Sequence, residues 1–108
     1  MERRKPHYDI DDVKGCVARG EFRLSKRVAG TLRNHGYADA SSVAAGVFGA
    51  ISADDFLKCN ELEKLPGVMA DIYRGTVWDG AEWYVKFFRR EDGSPVVDVW
   101  SLKEDGWM

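Results

Sequence analysis

The apolar positions change period about two thirds of the way along the chain. Ile10, Val13 and Val17 recur at helical spacing, Asp11 and Asp12 sit where a helix dipole favours negative charge, and Gly20 is a stop. Ser25 can cap a second helix that carries Val28, Ala29 and Leu32 and ends at Gly36. Residues 21–24, between them, are too short to assign, with a brief strand as the alternative. Ser41-Ser42 opens a third helix through residues 43–48, weakened by Gly46. Ser52 to Asp55 has the shape of a capping box, which predicts a short fourth helix through Phe56 and Lys58. Asn60 to Gly67, with Pro66-Gly67, reads as a loop.

After that the chain turns to β-branched and aromatic residues over 68–78, 81–90 and 95–103. Asp79-Gly80, between the first two runs, is a strong two-residue hairpin signal. Glu91-Asp92-Gly93-Ser94 reads as a four-residue loop joining the second pair. The expectation is an α+β fold in which a C-terminal three-stranded antiparallel meander packs on N-terminal helices. At 108 residues, the whole of 1–108 reads as one domain.

The hairpins also sort side chains between faces, because successive residues of a strand point opposite ways. A two-residue turn at Asp79-Gly80 pairs Trp78 with Ala81, Thr76 with Trp83, Tyr73 with Lys86 and Ile72 with Phe87. A four-residue second loop pairs Arg90 with Pro95, Trp100 with Val85 and Ser101 with Tyr84. One face then carries Ile72, Trp83, Val85, Phe87, Trp100 and Leu102, as a helix-covered core requires. The other carries Asp71, Tyr73, Tyr84, Lys86, Ser101 and Lys103. Tyrosines and lysines gathered on a sheet suit RNA, since rings stack on unpaired bases and ammonium groups hold phosphate. The alternative is that these tyrosines are amphipathic residues at the core's edge with snorkelling lysines beside them.

Composition narrows the classes. The chain is 44% hydrophobic and 31% charged, a balance that supports a packed core and argues against disorder. No run approaches the roughly 18 apolar residues of a spanning helix. Met1-Glu2-Arg3-Arg4-Lys5 is not followed by an apolar h-region, so a cytoplasmic location is expected. The net charge of −2 does not advertise a nucleic-acid binder, yet residues 1–35 hold nine Lys/Arg against five Asp/Glu while the remainder holds seven against thirteen. That basic third is either a phosphate-facing patch or a solvated helix surface. Cys16 and Cys59 form no CxxC pair and read as ordinary buried thiols; with His7 and His35 scattered, no metal site is expected. There is no Gly-rich phosphate loop, GxSxG or HExxH, and no cofactor is implied. Asp54-Asp55 reads as a cap, and the histidines as surface or capping residues, with a substrate contact by His7 as the alternative.

Several segments resemble a known family. Met1 to His7 is similar to the Met-Glu-Lys-Arg-x-Pro-His opening of the MqsR (motility quorum-sensing regulator) toxins, and the likeness continues through Val13-Lys14, Val17 and Gly20. Asp55-Phe56-Leu57-Lys58 resembles that family's Asp-Phe-x-Lys, Asp71-Ile72-Tyr73-Arg74 its Asp-Val-Tyr-Arg, Tyr84-Val85-Lys86 its Tyr-Leu-Lys, and Ser101-Leu102-Lys103-Glu104 its Ser-Phe-Lys-Glu. The resemblance implies a fold like that of RelE-type ribonuclease toxins, metal-independent cleavage of messenger RNA at GC-containing sites, and neutralisation by a partner antitoxin. It puts the catalytic lysine on Lys58 and the catalytic tyrosine on Tyr84, with Lys86, Lys103, Tyr73 and Arg74 on matching strand positions. One departure stands out. Where the family has Trp-Gln before Asp-Val-Tyr, this chain has Met69-Ala70, and alanine cannot replace an active-site glutamine's side-chain hydrogen bonds.

The resulting expectation is an endoribonuclease in which Lys58 and Lys86 stabilise phosphate and Tyr84 is the acid/base or orienting hydroxyl. Tyr73, Arg74, Ser101, Lys103 and His7 are expected to contact RNA. Two other readings remain: a non-catalytic relative that binds RNA or protein through the same face, and a protein-interaction domain with no nucleic acid.

Overall fold

Local chemistry starts each helix. Asp9 accepts from the backbone N–H of Asp11 at 2.9 Å and caps α1 (Ile10–Ala18); Ser25 accepts from Val28 N at 3.1 Å and caps α2 (Lys26–Asn34); Asp39 accepts from Ser41 N and Ser42 N and caps α3 (Ala40–Ala50). The structure, a computed structural model, describes residues 2–3, 5–90 and 96–107. Its strands are β1 (Glu2–Arg3), β2 (Phe22–Leu24), β3 (Phe56–Glu61), β4 (Met69–Trp78), β5 (Ala81–Arg89) and β6 (Val97–Glu104). They form one sheet in the order β1-β3-β4-β5-β6-β2, antiparallel throughout except for the parallel β2–β6 pair. The expected α+β architecture and its meander β4-β5-β6 are present, inside a wider sheet.

The helices cover one face. Val13 and Val17 of α1, Val28 and Leu32 of α2, and Val43, Val47 and Phe48 of α3 share a core with Tyr73, Trp83, Val85, Phe87, Val97, Val99 and Leu102 of the sheet. Phe48 meets Phe87 edge-on at 5.4 Å between ring centroids. Gly46 lets the Trp78 indole lie against α3, for a Cβ there would stand 2.3 Å from the ring. Cys16 and Cys59 are buried thiols outside any disulfide, as expected. Among the described residues no helix is long and apolar enough to cross a membrane.

The fourth helix is a correction. Its capping box does form, with Asp55 Oδ2 accepting from Ser52 N at 2.9 Å, but it closes only a 3-10 turn, Ala53–Asp55. Asp55 also accepts from Thr76 Oγ1 of β4 at 3.0 Å, and the chain beyond it is drawn into β3 beside β4. A cap stabilises the first turn of a helix; it does not compete with a full strand pairing. Asn60 and Glu61, read as loop, are likewise the end of β3.

The first hairpin has the expected register near its turn: Trp78 pairs with Ala81 and Thr76 with Trp83, while Asp79 (φ 53°) and Gly80 (φ 74°) take the left-handed pair of a type I′ turn. Beyond Thr76 the register slips. Gly75, at φ 80°, is an extra residue on β4, so Arg74 pairs with Tyr84, Tyr73 with Val85, Ile72 with Lys86 and Asp71 with Phe87. A one-residue bulge exchanges the faces of everything past it. The second hairpin's loop, 91–94, and the pairing of Arg90 with Pro95 lie outside the described residues. Further along, Tyr84 pairs with Lys103, Val85 with Leu102 and Lys86 with Ser101, two residues from the expected register and therefore with the same facing. Trp100 is the exception: it is an extra residue on β6 between the Lys86–Ser101 and Phe87–Val99 pairs.

Candidate functional site

The face away from the helices gathers the cations. Lys58, Ile72, Lys86 and Ser101 form one row across β3, β4, β5 and β6, each in direct register with the next. Arg74, Tyr84 and Lys103 form a second row, two residues along each strand. Neighbours in such rows have Cα atoms about 4.5–5.5 Å apart, so their side chains share one small area. Three bulges frame it. Leu57 on β3, Gly75 on β4 and Trp100 on β6 are each an extra residue against the partner strand, and each turns the residues beyond it onto a new face. Without the bulge at Leu57, Lys58 would share a face with residues that Phe56 now leads into the core, beside Tyr73.

Tyr84 is half-buried, with Lys103 Nζ 5.3 Å from its ring centroid. Burial raises its hydroxyl above the ordinary tyrosine value, and the positive fields of Lys58 and Arg74 oppose that rise. Lys86 is pushed the other way. Burial, with Lys58 and Arg27 nearby, lowers its ammonium below the usual lysine range, while Glu63 works against the shift. Lysine and tyrosine ordinarily titrate within a unit of each other, near 10. Here the lysine is loosened and the tyrosine tightened, which is the separation an acid–base pair requires. Arg74 Nε donates to Asp105 Oδ2 at 2.9 Å, an exposed pair that holds the guanidinium at the edge of the face.

Of the residues singled out from the sequence, Lys58, Arg74, Tyr84, Lys86, Ser101 and Lys103 meet on this face. Arg74 joins it although pairing continued regularly from the Asp79-Gly80 turn would put it on the face away from Tyr84; the Gly75 bulge brings it round. Tyr73 is the counter-case and a correction. It is fully buried on the helix-covered face, stacked on Phe87 at 5.9 Å, so its ring offers no surface to a base. Asp71 also moves to the covered side, where it accepts from the backbone N–H groups of His7 and Tyr8 at 2.9 and 3.0 Å. His7 is thereby held away from Tyr84, in a cleft it shares with Gly67, Met69 and Arg89. Ile72 and Trp100, assigned to the helix-covered face, are corrected in their facing: Ile72 stays buried but in register with Lys58 and Lys86, and Trp100, partly buried, lines the groove beside Lys86.

Two residues were missed. Arg27 at the start of α2 donates to the Trp100 carbonyl at 3.0 Å, and Asn60 of β3 stands directly across from Ala70. A signal for the β6 bulge was available in the adjacent apolar pair Val99-Trp100, which breaks the alternation of the strand. Glycine inside β4 carried the same message.

Among the described residues no group of three or more His, Cys, Asp or Glu side chains could hold a metal ion. The arrangement can bind an anion along its rows, stabilise added negative charge, and give or take a proton at Tyr84 and Lys86. No individual curated protein matches the chain. The pattern of one family, however, covers nearly all of it, residues 5–104. The chain therefore belongs to the family described as motility quorum-sensing regulator, toxin of MqsA, the toxin side of a toxin–antitoxin pair.

Proposed function

We propose that this protein is a metal-independent endoribonuclease that cleaves messenger RNA and is held inactive by its cognate antitoxin. The observation that carries the reading is the pair of rows, which bring Lys58, Lys86, Lys103 and Arg74 onto the same face as Tyr84 in a chain with net charge −2. A cluster of cations attracts a phosphate and repels a divalent metal.

In the reaction, the 2′-oxygen attacks the adjacent phosphorus, the bond to the 5′-oxygen breaks, and a 2′,3′-cyclic phosphate and a 5′-hydroxyl result. The 2′ proton passes to the neutral amine of Lys86, whose hold on a proton is weakened by burial beside Lys58. Tyr84, whose burial keeps its proton on, donates to the departing 5′-oxygen. Lys58 and Lys103 stay cationic and stabilise the phosphorane. Arg74 and Ser101 bound the same area and position the strand. The cleavage sites suggested by the family resemblance are short and GC-containing.

A second reading, a non-catalytic relative that binds RNA, draws on Ala70. That alanine lies wholly buried where the family resemblance expects glutamine. Asn60 favours the catalytic reading, because it places a carboxamide directly across the strand pair from Ala70 and lines the same groove as Lys86. The test is incubation of mixed-sequence RNA with purified protein in excess EDTA, beside Lys58→Ala, Tyr84→Phe and Asn60→Ala. Cyclic-phosphate ends from wild type, lost in the first two and reduced in the third, support the proposal. Intact RNA that the folded wild type nevertheless binds selects the non-catalytic reading.

A further inference from the structure

Beside the two rows lies an open groove of about 460 Å³. Its walls come from the start of α2 (Ser25 and Arg27), from the end of β3 and the segment after it (Asn60 to Lys64), and from Lys86 and Trp100 of the sheet. The volume is within the usual range of small-molecule sites, roughly 300–1,000 Å³. Trp100 is there because of the bulge on β6. In regular pairing it would be one more member of an alternating strand; as the extra residue it turns its indole to the cationic face, half-exposed, with Phe88 behind it at 6.0 Å between ring centroids. Arg27 clamps the bulge by donating to the Trp100 carbonyl at 3.0 Å.

The groove is continuous with the proposed cleavage site, since Lys86 belongs to both and Trp100 directly precedes Ser101, the register partner of Lys86. Its chemistry differs from the rows. The rows are cationic, suited to phosphate. The groove offers one flat indole face, a carboxamide at Asn60, carboxylates at Glu61 and Glu63, and cations at Arg27, Lys64 and Lys86. Glu61 already accepts from Gly67 N at 3.2 Å, which leaves Glu63 and Asn60 as polar edges. Two carboxylates set among the three cations make a mixed wall rather than a phosphate cradle, and the indole gives what phosphate cannot use: a base has a π-face to stack and a polar edge to bond.

We infer that this groove is a nucleobase subsite in which Trp100, backed by Phe88 and held by Arg27, stacks on the unpaired base next to the scissile phosphate. The inference rests on the ribonuclease reading and adds to it where the substrate's flanking base is held.

Its test uses a short RNA carrying the cleaved step, made uncleavable by 2′-O-methylation, with an abasic residue placed in turn on either side. Wild-type protein should lose roughly tenfold in affinity at one abasic position and little at the others, the usual size of a stacking contribution. Trp100→Leu, which keeps apolar bulk against Phe88, should bind the intact RNA about tenfold more weakly and be indifferent to that abasic position. Trp100→Phe should recover most of the affinity. On the cleavable RNA, Trp100→Leu should raise KM with kcat largely unchanged, the signature of binding shared by ground and transition states. If the Leu variant fails to fold, the wild-type abasic scan and the difference in RNA-induced tryptophan quenching between wild type and Trp100→Phe carry the test. RNA that binds and is cut equally well by wild type and Trp100→Leu overturns the subsite and leaves the ribonuclease reading standing. Wild type that neither binds nor cuts RNA overturns both. Unchanged RNA binding with lost antitoxin binding in Trp100→Leu makes the groove a protein surface and overturns the subsite.

Discussion

Tyr73 and Tyr84 sit on neighbouring strands, one register step apart, and have opposite fates. Tyr73 is sealed under the helices, stacked on Phe87, and burial with Asp71 nearby pushes its hydroxyl far up. Tyr84 is half-buried on the far side, under Lys103 and within the fields of Lys58 and Arg74. The two faces of this sheet are made from the same strands, so residue type does not decide which tyrosine does chemistry. Facing decides it, and facing hangs on single extra residues. The covered face is built by the hydrophobic effect, which is tolerant of which apolar group fills it. The cationic face has no such drive; four positive charges share it, and a bound anion relieves their mutual repulsion.

The largest expected effects fall on the cationic face. Lys58→Ala and Tyr84→Phe should each lower the RNA cleavage rate by about 10²-fold or more, the usual scale for a charge stabiliser or a positioned acid, with the thermal midpoint nearly unchanged. A matching loss in Tyr73→Phe would undo the distinction between the faces. Next comes the device that separates them. Gly75 stands at φ 80°, so Gly75→Val forces a β-branched residue into the left-handed region, at a cost of roughly 1–2 kcal/mol or more. Thermal unfolding should show a midpoint lower by several degrees, and cleavage should fall further than the stability loss alone explains, because Arg74 and Ile72 lose their facing.

The pH–rate profile sharpens the chemistry on that face. The base works when Lys86 has lost its proton, so the rate rises with pH through a value below that of free lysine. The acid works while Tyr84 keeps its proton, so the rate falls again through a value above that of free tyrosine. Lys86→Arg, which does not titrate in this range, should abolish the rising limb; a rising limb that survives would assign the base elsewhere. The smallest effect belongs to the covered tyrosine. Its hydroxyl is buried with no hydrogen-bond partner among the described residues, so Tyr73→Phe should leave cleavage intact and hold or raise stability by up to about 1 kcal/mol in denaturant titration.

Much of the fold was legible in the sequence. The caps at Ser25 and Ser52, the stops at Gly20 and Gly36, the Asp79-Gly80 turn and the three C-terminal strands are all local signals, settled by dihedral preference and short-range hydrogen bonds. Tyr84, Lys86, Ser101 and Lys103 were placed together correctly because the pairing of Arg89 with Val97 is one residue off the expected register and the bulge at Trp100 adds a second, which restores the expected facing. Tyr73, Arg74, Ile72 and Trp100 were misplaced because each depends on a bulge.

Sequence by itself therefore determined the composition of this protein's elements: where helices start, where the hairpin turns, and which residue types are present for chemistry. Tertiary structure decided the partners and the faces. Residues 56–61 became a strand because β4 offered a row of backbone groups to pair with. The bulges at Leu57, Gly75 and Trp100 appeared where strands of unequal phase had to keep apolar side chains on one side. The physical reason is range: propensity and capping act within a turn or two, whereas register is settled by burying a face against helices distant in sequence.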